Sequence, residues 1–144
     1  MNQISTINLT KRAVSQKKRI ERGLAEAMRK LGLKRSQVCL SFVTDEDITR
    51  LNKRYRKMNK PTDVLSFEQN ATVGKMKLLG DIIISTDTSS RQAKAAGKPH
   101  FHELLLLSVH GLLHLIGYDH ATKKEEIRMF GLQNELIEHI LEKI

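Results

Sequence analysis

The stretch that decides the fold is HGLLHLIGYDH, residues 110–120, which holds three of the six histidines of the chain. Its first half belongs to a run over residues 101–116 that is apolar on almost every helical face, the pattern of a central, buried helix. His110 and His114 are four residues apart, so on a helix they are separated by only about 40° and one turn of rise. Both imidazoles are therefore expected to point the same way from the core helix.

A third imidazole, His120, follows a glycine that can end this helix. Gly117 lies three residues beyond His114, and glycine adopts the left-handed conformation of a helix C-terminus at little cost. The chain can then turn back and bring His120 beside the other two. Three neutral imidazoles with an open fourth position are typical of a catalytic zinc site. Core or capping histidines are the alternative, but an unpartnered buried imidazole costs about 1–3 kcal/mol, which favours metal binding.

The histidine spacing is similar to the metzincin pattern H-E-x-x-H-x-x-G-x-x-H, with Gly111 in place of the glutamate. That glutamate is the general base of the proteases, so peptide hydrolysis is the less favoured chemistry. A glycine inside a helix costs about 0.5–1 kcal/mol relative to alanine and needs a local reason. We expect that reason to be the close approach of a substrate or a water molecule to the metal.

The rest of the chain predicts the element order β-α-β-α-β-β-α-α-α. Strands are expected near residues 4–9, 38–43, 61–67 and 80–85, and helices near residues 14–31, 44–57, 86–96, 101–116 and from 122 towards the C-terminus. The polar stretch 68–79 is expected to be a flexible, glycine-containing loop. This order indicates an α+β fold, in which about five helices pack on a small mixed sheet of about four strands. We expect one hydrolase domain over residues 1–144.

Charge is distributed unevenly along the chain. The net charge is +9; residues 1–60 hold 16 Lys+Arg and 5 Asp+Glu, a net +11, and residues 61–144 hold 9 and 11, a net −2. A basic half can be a solvated, solubilising surface. It can also follow the phosphates of a nucleic acid, because cations displace counterions there. Charge alone leaves both interpretations open.

Composition also bears on the compartment. The single cysteine, Cys39, excludes an internal disulfide and fits a reducing environment, where we expect it to be a small buried hydrophobe. The first residues lack the apolar run of a secretory signal. The longest apolar run, residues 104–117, would span about 21 Å as a helix, which is too short for a hydrocarbon layer of roughly 30 Å. We therefore expect a cytoplasmic protein with no membrane partner.

Three motifs together resemble one known family. HGLLHLIGYDH, LNKRYRKMNKPTDVLSF (residues 51–67) and LGDIIIS (residues 79–85) are similar to the hallmark stretches of the YbeY-type bacterial rRNA maturation factors. The resemblance covers nearly the whole chain. It implies a single-strand-specific, metal-dependent endoribonuclease that acts in 16S rRNA 3′-end maturation and small-subunit quality control. The implied partners are single-stranded rRNA and the small ribosomal subunit, with no DNA expected.

The resemblance also implies site residues. It assigns one Zn²⁺ per chain to His110, His114 and His120, and it makes Arg56 a functional arginine that lines the cleft. The oligomeric state is left open, with a monomer as one option.

Weaker candidates surround this site. Arg56 has the planar, permanent charge that suits a phosphodiester, with Lys53 and Arg54 as further substrate-binding candidates on the same helix; the alternative is a solvated helix arginine. Glu103 precedes His110 by seven residues, about 20° from the same face. It is therefore a candidate catalytic or ligand-orienting residue, with a solvent-facing role as the alternative. The general base is left open among zinc-activated water, Glu103 and the RNA 2′-hydroxyl.

Two other functions remain open at this point. One is a metalloprotease-like hydrolase, and the other is a non-catalytic ribosome- or RNA-binding factor with a structural zinc. The remaining histidines fit no ligand pattern and are expected on the surface: His100, His102 and His139.

Overall fold

The computed structural model describes residues 1–14 and 16–144. The strands are β1 (Gln3–Asn8), β2 (Ser36–Val43), β3 (Val64–Val73) and β4 (Met76–Ser85). The helices are α1 (Lys17–Lys30), α2 (Asp45–Arg56), α3 (Thr86–Ala96), α4 (His100–Leu115) and α5 (Lys123–Lys143). The order β-α-β-α-β-β-α-α-α and the α+β class predicted from the sequence are confirmed.

The four strands form one mixed sheet in the order β1-β2-β4-β3. β1 and β4 both run parallel to β2, while β3 pairs antiparallel with β4 and forms one edge of the sheet. Asp63, just before β3, accepts a hydrogen bond at its carbonyl from the Ser85 N–H. Because main-chain groups alternate along a strand, the carbonyl of Val64 and both main-chain groups of Ser66 are directed to the open edge.

The prediction of a flexible loop over residues 68–79 is wrong. β3 and β4 continue through this stretch and meet at a two-residue turn, Gly74-Lys75, where Gly74 adopts a positive φ of 61°. A register irregularity between Glu68 and Ala71 marks a bulge, with Asn70 at φ 48°. Most side chains from Glu68 to Val73 are exposed, which is why the polar sequence resembled a loop.

Helix α4 is the centre of the core, as predicted. Eleven of its sixteen residues are buried, and it packs against the sheet, α1, α3 and α5. Helix α2 lies on another small apolar cluster, formed by Val43, Ile48 and Leu65. The site therefore develops where α2 and α4 approach the edge strand β3 between them.

Gly111 explains how closely α4 lies on the sheet. A Cβ atom at this position would lie 2.6 Å from Ile82 Cγ2 and 3.1 Å from Ser66 Oγ. Ile82 is fully buried in β4 and has no room to move away. The close approach that requires glycine is therefore that of the sheet, and our expectation of a substrate or water molecule at this glycine is wrong.

Helix ends follow the capping residues in the sequence. Thr44 caps α2, and Thr122 with Glu125 forms a capping box at the start of α5. Gly117 follows α4 at φ 104°, which lets the chain turn back. Helix α1 begins at Lys17, later than the predicted residue 14, and part of that predicted start, Ser15, lies outside the described residues.

Three side chains are partly buried, although Cys39 was expected to be fully buried and His100 and His139 were expected on the surface. Cys39 lies on the face of β2 that carries alternate, half-buried residues. The ring of His100 lies 2.8 Å from Ser89 Oγ, and that of His139 lies 2.8 Å from Glu26 Oε1, so neither histidine is a free surface group. Within residues 1–14 and 16–144, no helix combines the length and apolar character needed to cross a bilayer.

Candidate metal centre and cleft

Three histidines converge at the C-terminal end of α4. His110 and His114 come from its last two turns, and His120 comes from the loop that follows Gly117. One ring nitrogen of each lies within 4.8 Å of the others. The ring centroids are 4.7 Å apart for His110 and His114, 5.8 Å for His110 and His120, and 5.2 Å for His114 and His120. Such a cluster can hold one metal ion.

A glutamine on α5 orients the first histidine. His110 Nδ1 lies 2.8 Å from the side-chain oxygen of Gln133, which is only 5% exposed. Because an amide oxygen can only accept, Nδ1 carries the proton and Nε2 keeps the lone pair that a metal requires. Gln133 was not predicted as a site residue from the sequence. The available signal was a polar residue on the stripe of α5 that otherwise buries Met129, Leu136 and Ile140.

The donor set fits Zn²⁺. Burial lowers the pKa of His114, and the neighbouring imidazoles of His110 and His120 lower it further because they disfavour a second positive charge. The neutral imidazole, which is the metal-binding form, is thereby favoured at this position. Three imidazole rings on one wall of the cleft, with the tautomer of His110 fixed by a buried amide, match the nitrogen-rich sites that zinc occupies.

Phe130 packs against this cluster from α5. Its ring centroid lies 5.9 Å from that of His110 at an interplanar angle of 29°, and 6.1 Å from that of His120 at 32°. The ring planes are inclined to each other by about 30°, at centroid distances within the range of aromatic contacts. Since Phe130 is one turn before Gln133, the same face of α5 supports two of the three histidines.

The histidines form one wall of a cleft of about 570 Å³. The end of α2 forms the opposite wall with Tyr55 and Arg56, and β3 provides the floor from Val64 to Glu68. The open main-chain edge of Ser66 therefore lies in the same cleft as the histidine cluster. Tyr55 and this edge were not predicted as site features.

Arg56, to which the family resemblance gives a functional role, is one of the residues that line the cleft. It is exposed in the last turn of α2 and lines the cleft opposite the histidines. Within the described chain, no ion pair engages its guanidinium. Lys53 and Arg54 are also exposed on α2 but do not line the cleft. Arg54 places its guanidinium carbon 5.4 Å from the centroid of the Tyr55 ring.

Glu103 does not lie at the site. It is in the first turn of α4, two turns and about 10 Å along the axis from His110. The residue is only 6% exposed, and its carboxylate lies 3.5 Å from Lys98 Nζ. The structure thus brings Glu103 neither to the histidine cluster nor to solvent, and both expectations for this residue are wrong.

Two carboxylates that line the cleft have structural partners. Asp63 accepts from the Val64 N–H and Asp119 from the His120 N–H, both within the loops that lead into the site. They fix the main chain at these positions.

Comparisons with known proteins agree with the motifs. The family model described as Endoribonuclease YbeY matches residues 2–141. The chain is 42% identical over 138 residues to Endoribonuclease YbeY of Aquifex aeolicus (strain VF5), covering 96% of this chain and 89% of that protein. It is 41% identical over 129 residues to Endoribonuclease YbeY of Bacillus velezensis, covering 83% and 82% of the two chains.

A solved structure shares the fold over nearly the whole length. The solution structure of a protein from Thermotoga maritima superposes with a TM-score of 0.68 at 26% sequence identity, covering 97% of this chain and 90% of that one. The match of the family model over almost all residues and the identity to relatives of similar length lead to one assignment. The chain belongs to the YbeY endoribonuclease family.

Proposed function

We propose that this protein is a zinc-dependent endoribonuclease specific for single-stranded RNA, with one hydrolase domain over residues 1–144. One Zn²⁺ per chain would be held by His110, His114 and His120. The observation that supports this proposal is the convergence of three imidazoles on one wall of a cleft whose opposite wall carries the unpaired Arg56. The relatives that match this chain are themselves named endoribonucleases.

Arg56 is proposed to bind the scissile phosphodiester. Its planar guanidinium can donate two parallel hydrogen bonds to phosphate oxygens and offset the charge that grows there during cleavage. Lys53 and Arg54 lie outside the cleft on the same helix, so their contribution is to attract the RNA backbone towards it. The net +11 of residues 1–60 acts in the same direction.

The three histidines are proposed to provide the metal-binding part of the active site. A bound zinc ion would supply Lewis-acid chemistry to an oxygen of the phosphate or of water. The chain's own part is to keep His114 neutral by burial and to hold His110 in one tautomer through Gln133. Glu103 has no role in this proposal because of its place at the far end of α4.

The proposed cellular role follows from the family. It is 16S rRNA 3′-end maturation and small-subunit quality control in the cytoplasm, with single-stranded rRNA and the small ribosomal subunit as partners. DNA and membranes are not proposed as partners.

The decisive experiment compares substrates and metal states. Zinc-loaded protein is incubated with single-stranded RNA, the same sequence as a duplex, single-stranded DNA and casein, each with and without a chelator. We expect cleavage of single-stranded RNA alone, lost on chelation. Cleavage of casein would instead indicate a metalloprotease-like hydrolase, and RNA that is bound but left intact would indicate a non-catalytic factor.

Two variants define the role of the histidines in this experiment. His114→Ala should lose zinc, measured by elemental analysis, together with RNA cleavage. His102→Ala, on the same helix but outside the cluster, should retain both. A His114→Ala protein that lacks zinc but cleaves RNA at the wild-type rate would refute the metal's part in catalysis.

A further inference from the structure

We propose that Tyr55 is a stacking platform for one unpaired nucleobase and thereby a determinant of single-strand specificity. This inference rests on the proposed function, because it assigns a part of the RNA substrate to one wall of the same cleft. It concerns how the nucleotide beside the scissile phosphate is held.

Tyr55 is the most exposed of the tyrosine and phenylalanine residues that the structure describes. The chain has only two tyrosines, four phenylalanines and no tryptophan, so its aromatic residues are few. Tyr55 is nevertheless 56% exposed, and among the described residues the other exposed aromatic side chain is Phe130, at 37%. Phe130 packs against two histidines, whereas Tyr55 is more than half exposed and is one of the residues that line the cleft. The exposed part of the ring is therefore available to stack on a ligand.

The ring is nevertheless held in place by its neighbours. Phe67, on β3, makes an edge contact with a centroid distance of 5.1 Å and an interplanar angle of 61°. The Arg54 guanidinium lies over the ring at 5.4 Å, a cation–π distance. A tyrosine fixed in this way loses little conformational freedom when it stacks on a ligand. Arg54, predicted to bind substrate directly, thus supports the platform.

The surroundings of Tyr55 suit a nucleotide. Arg56, the next residue, lines the same cleft and can take the phosphate. The open edge of β3 below offers the main-chain N–H and carbonyl of Ser66, a donor and an acceptor that a base can use through its pairing edge. A base in a duplex is stacked on both sides and has its pairing edge occupied. Only an unpaired base can therefore use the platform and the strand edge together.

Abasic substitution in the RNA tests this without changing the protein. Short single-stranded RNAs that cover one cleavage site, each with one abasic residue at a different position, are given to the zinc-loaded wild-type protein, and the affinity is taken from the dependence of the single-turnover rate on protein concentration. We expect one position next to the scissile phosphate to weaken binding by about tenfold to a hundredfold, the range for loss of one base–aromatic stack. If all positions have equal, small effects, no base is held and the inference is overturned.

Variants of Tyr55 then test whether the nucleobase at the sensitive RNA position stacks on the Tyr55 ring. Tyr55→Ala and Tyr55→Leu should weaken binding of the intact RNA by about tenfold to a hundredfold and raise KM more than they lower kcat. Tyr55→Phe should stay within about twofold, since it keeps the aromatic face. In the Ala variant, the sensitive abasic position should have no further effect. Val73→Ala, exposed at the hairpin turn and outside the cleft, is the matched control.

The outcomes separate this inference from the proposed function. If wild-type protein neither binds nor cleaves single-stranded RNA, the proposed function fails. If wild-type protein cleaves RNA but Tyr55→Ala binds with unchanged affinity, or remains as sensitive to the abasic position as wild type, only the stacking role of Tyr55 fails. Circular dichroism and zinc content of each variant show whether fold and metal site are retained.

Discussion

Replacing Gly111 with alanine should destabilise the protein, although alanine is the better helix former. The added methyl group would lie 2.6 Å from Ile82 Cγ2, and this branched carbon belongs to a fully buried strand residue. Overpacking of a tight core costs about 1–3 kcal/mol, and the gain in helix propensity returns about 0.5–1 kcal/mol. The expected net loss in the free energy of unfolding therefore lies between about zero and about 2.5 kcal/mol, with a central value of about 1 kcal/mol.

A second glycine provides the matched control. Gly131 lies inside α5, and a Cβ atom there would meet nothing within 4 Å. Gly131→Ala should therefore stabilise the protein by about 0.5–1 kcal/mol, the propensity gain alone. Urea unfolding of both variants in the presence of chelator gives the two free energies without a contribution from metal binding.

A double-mutant cycle tests the assigned contact. Ile82→Ala removes both side-chain carbons that the new methyl group would meet, so Gly111→Ala in that background should be neutral or slightly stabilising. The sign of the Gly111 effect should thus reverse. The reasoning would be refuted if Gly111→Ala stabilised the otherwise wild-type protein as much as Gly131→Ala does, or if the Ile82 background left its effect unchanged.

Three further predictions concern the site and the acid stability. Gln133→Leu should reduce zinc affinity by about 10- to 100-fold in competition with a chromogenic chelator, because an imidazole loses the partner that fixes its tautomer; unchanged affinity would remove this role. Arg56→Ala should lower kcat/KM on single-stranded RNA by about 10²- to 10³-fold at unchanged zinc content, and Arg56→Lys should recover only part of the loss. Hydrogen bonds from Arg29 and His139 lower the pKa of Glu26 to about 2 from 4.5. The stabilisation from the ionised Glu26 is therefore fully present above pH 4.5 and is lost as the pH falls towards 2. Glu26→Gln should therefore flatten the decline of the urea unfolding midpoint between pH 4.5 and 3. An identical decline in the wild-type and variant proteins would contradict this role of Glu26.

Local signals in the sequence were sufficient for most of the fold. Thr44 and Thr122 mark helix ends through interactions within a few residues, and the apolar run of α4 identified the buried helix. The exposed arms of β3 and β4 were missed, because a strand that faces solvent on both sides lacks the alternation by which strands are recognised.

The parts of the site that could be predicted are those whose positions depend only on local chain geometry. His110 and His114 share a face by helical spacing, and the turn after Gly117 returns His120 to them. Glu103 satisfied the same angular criterion, but two turns of rise separate it from the cluster. Gln133 and Tyr55 could not be found in this way, since their roles depend on which element packs opposite them.

The recessed position of the edge strand β3 has a consequence for solubility. An open strand edge is a template on which another polypeptide can add a strand, the first step of fibril-like aggregation. Here α2 and α4 stand on either side of that edge, and the bulge after Glu68 interrupts its regular course. A strand from a second molecule would have to insert between the two helices and would then cover the three histidines. Self-association through this edge and access of any ligand to the cleft thus exclude each other, so occupancy of the cleft should protect the protein from aggregation.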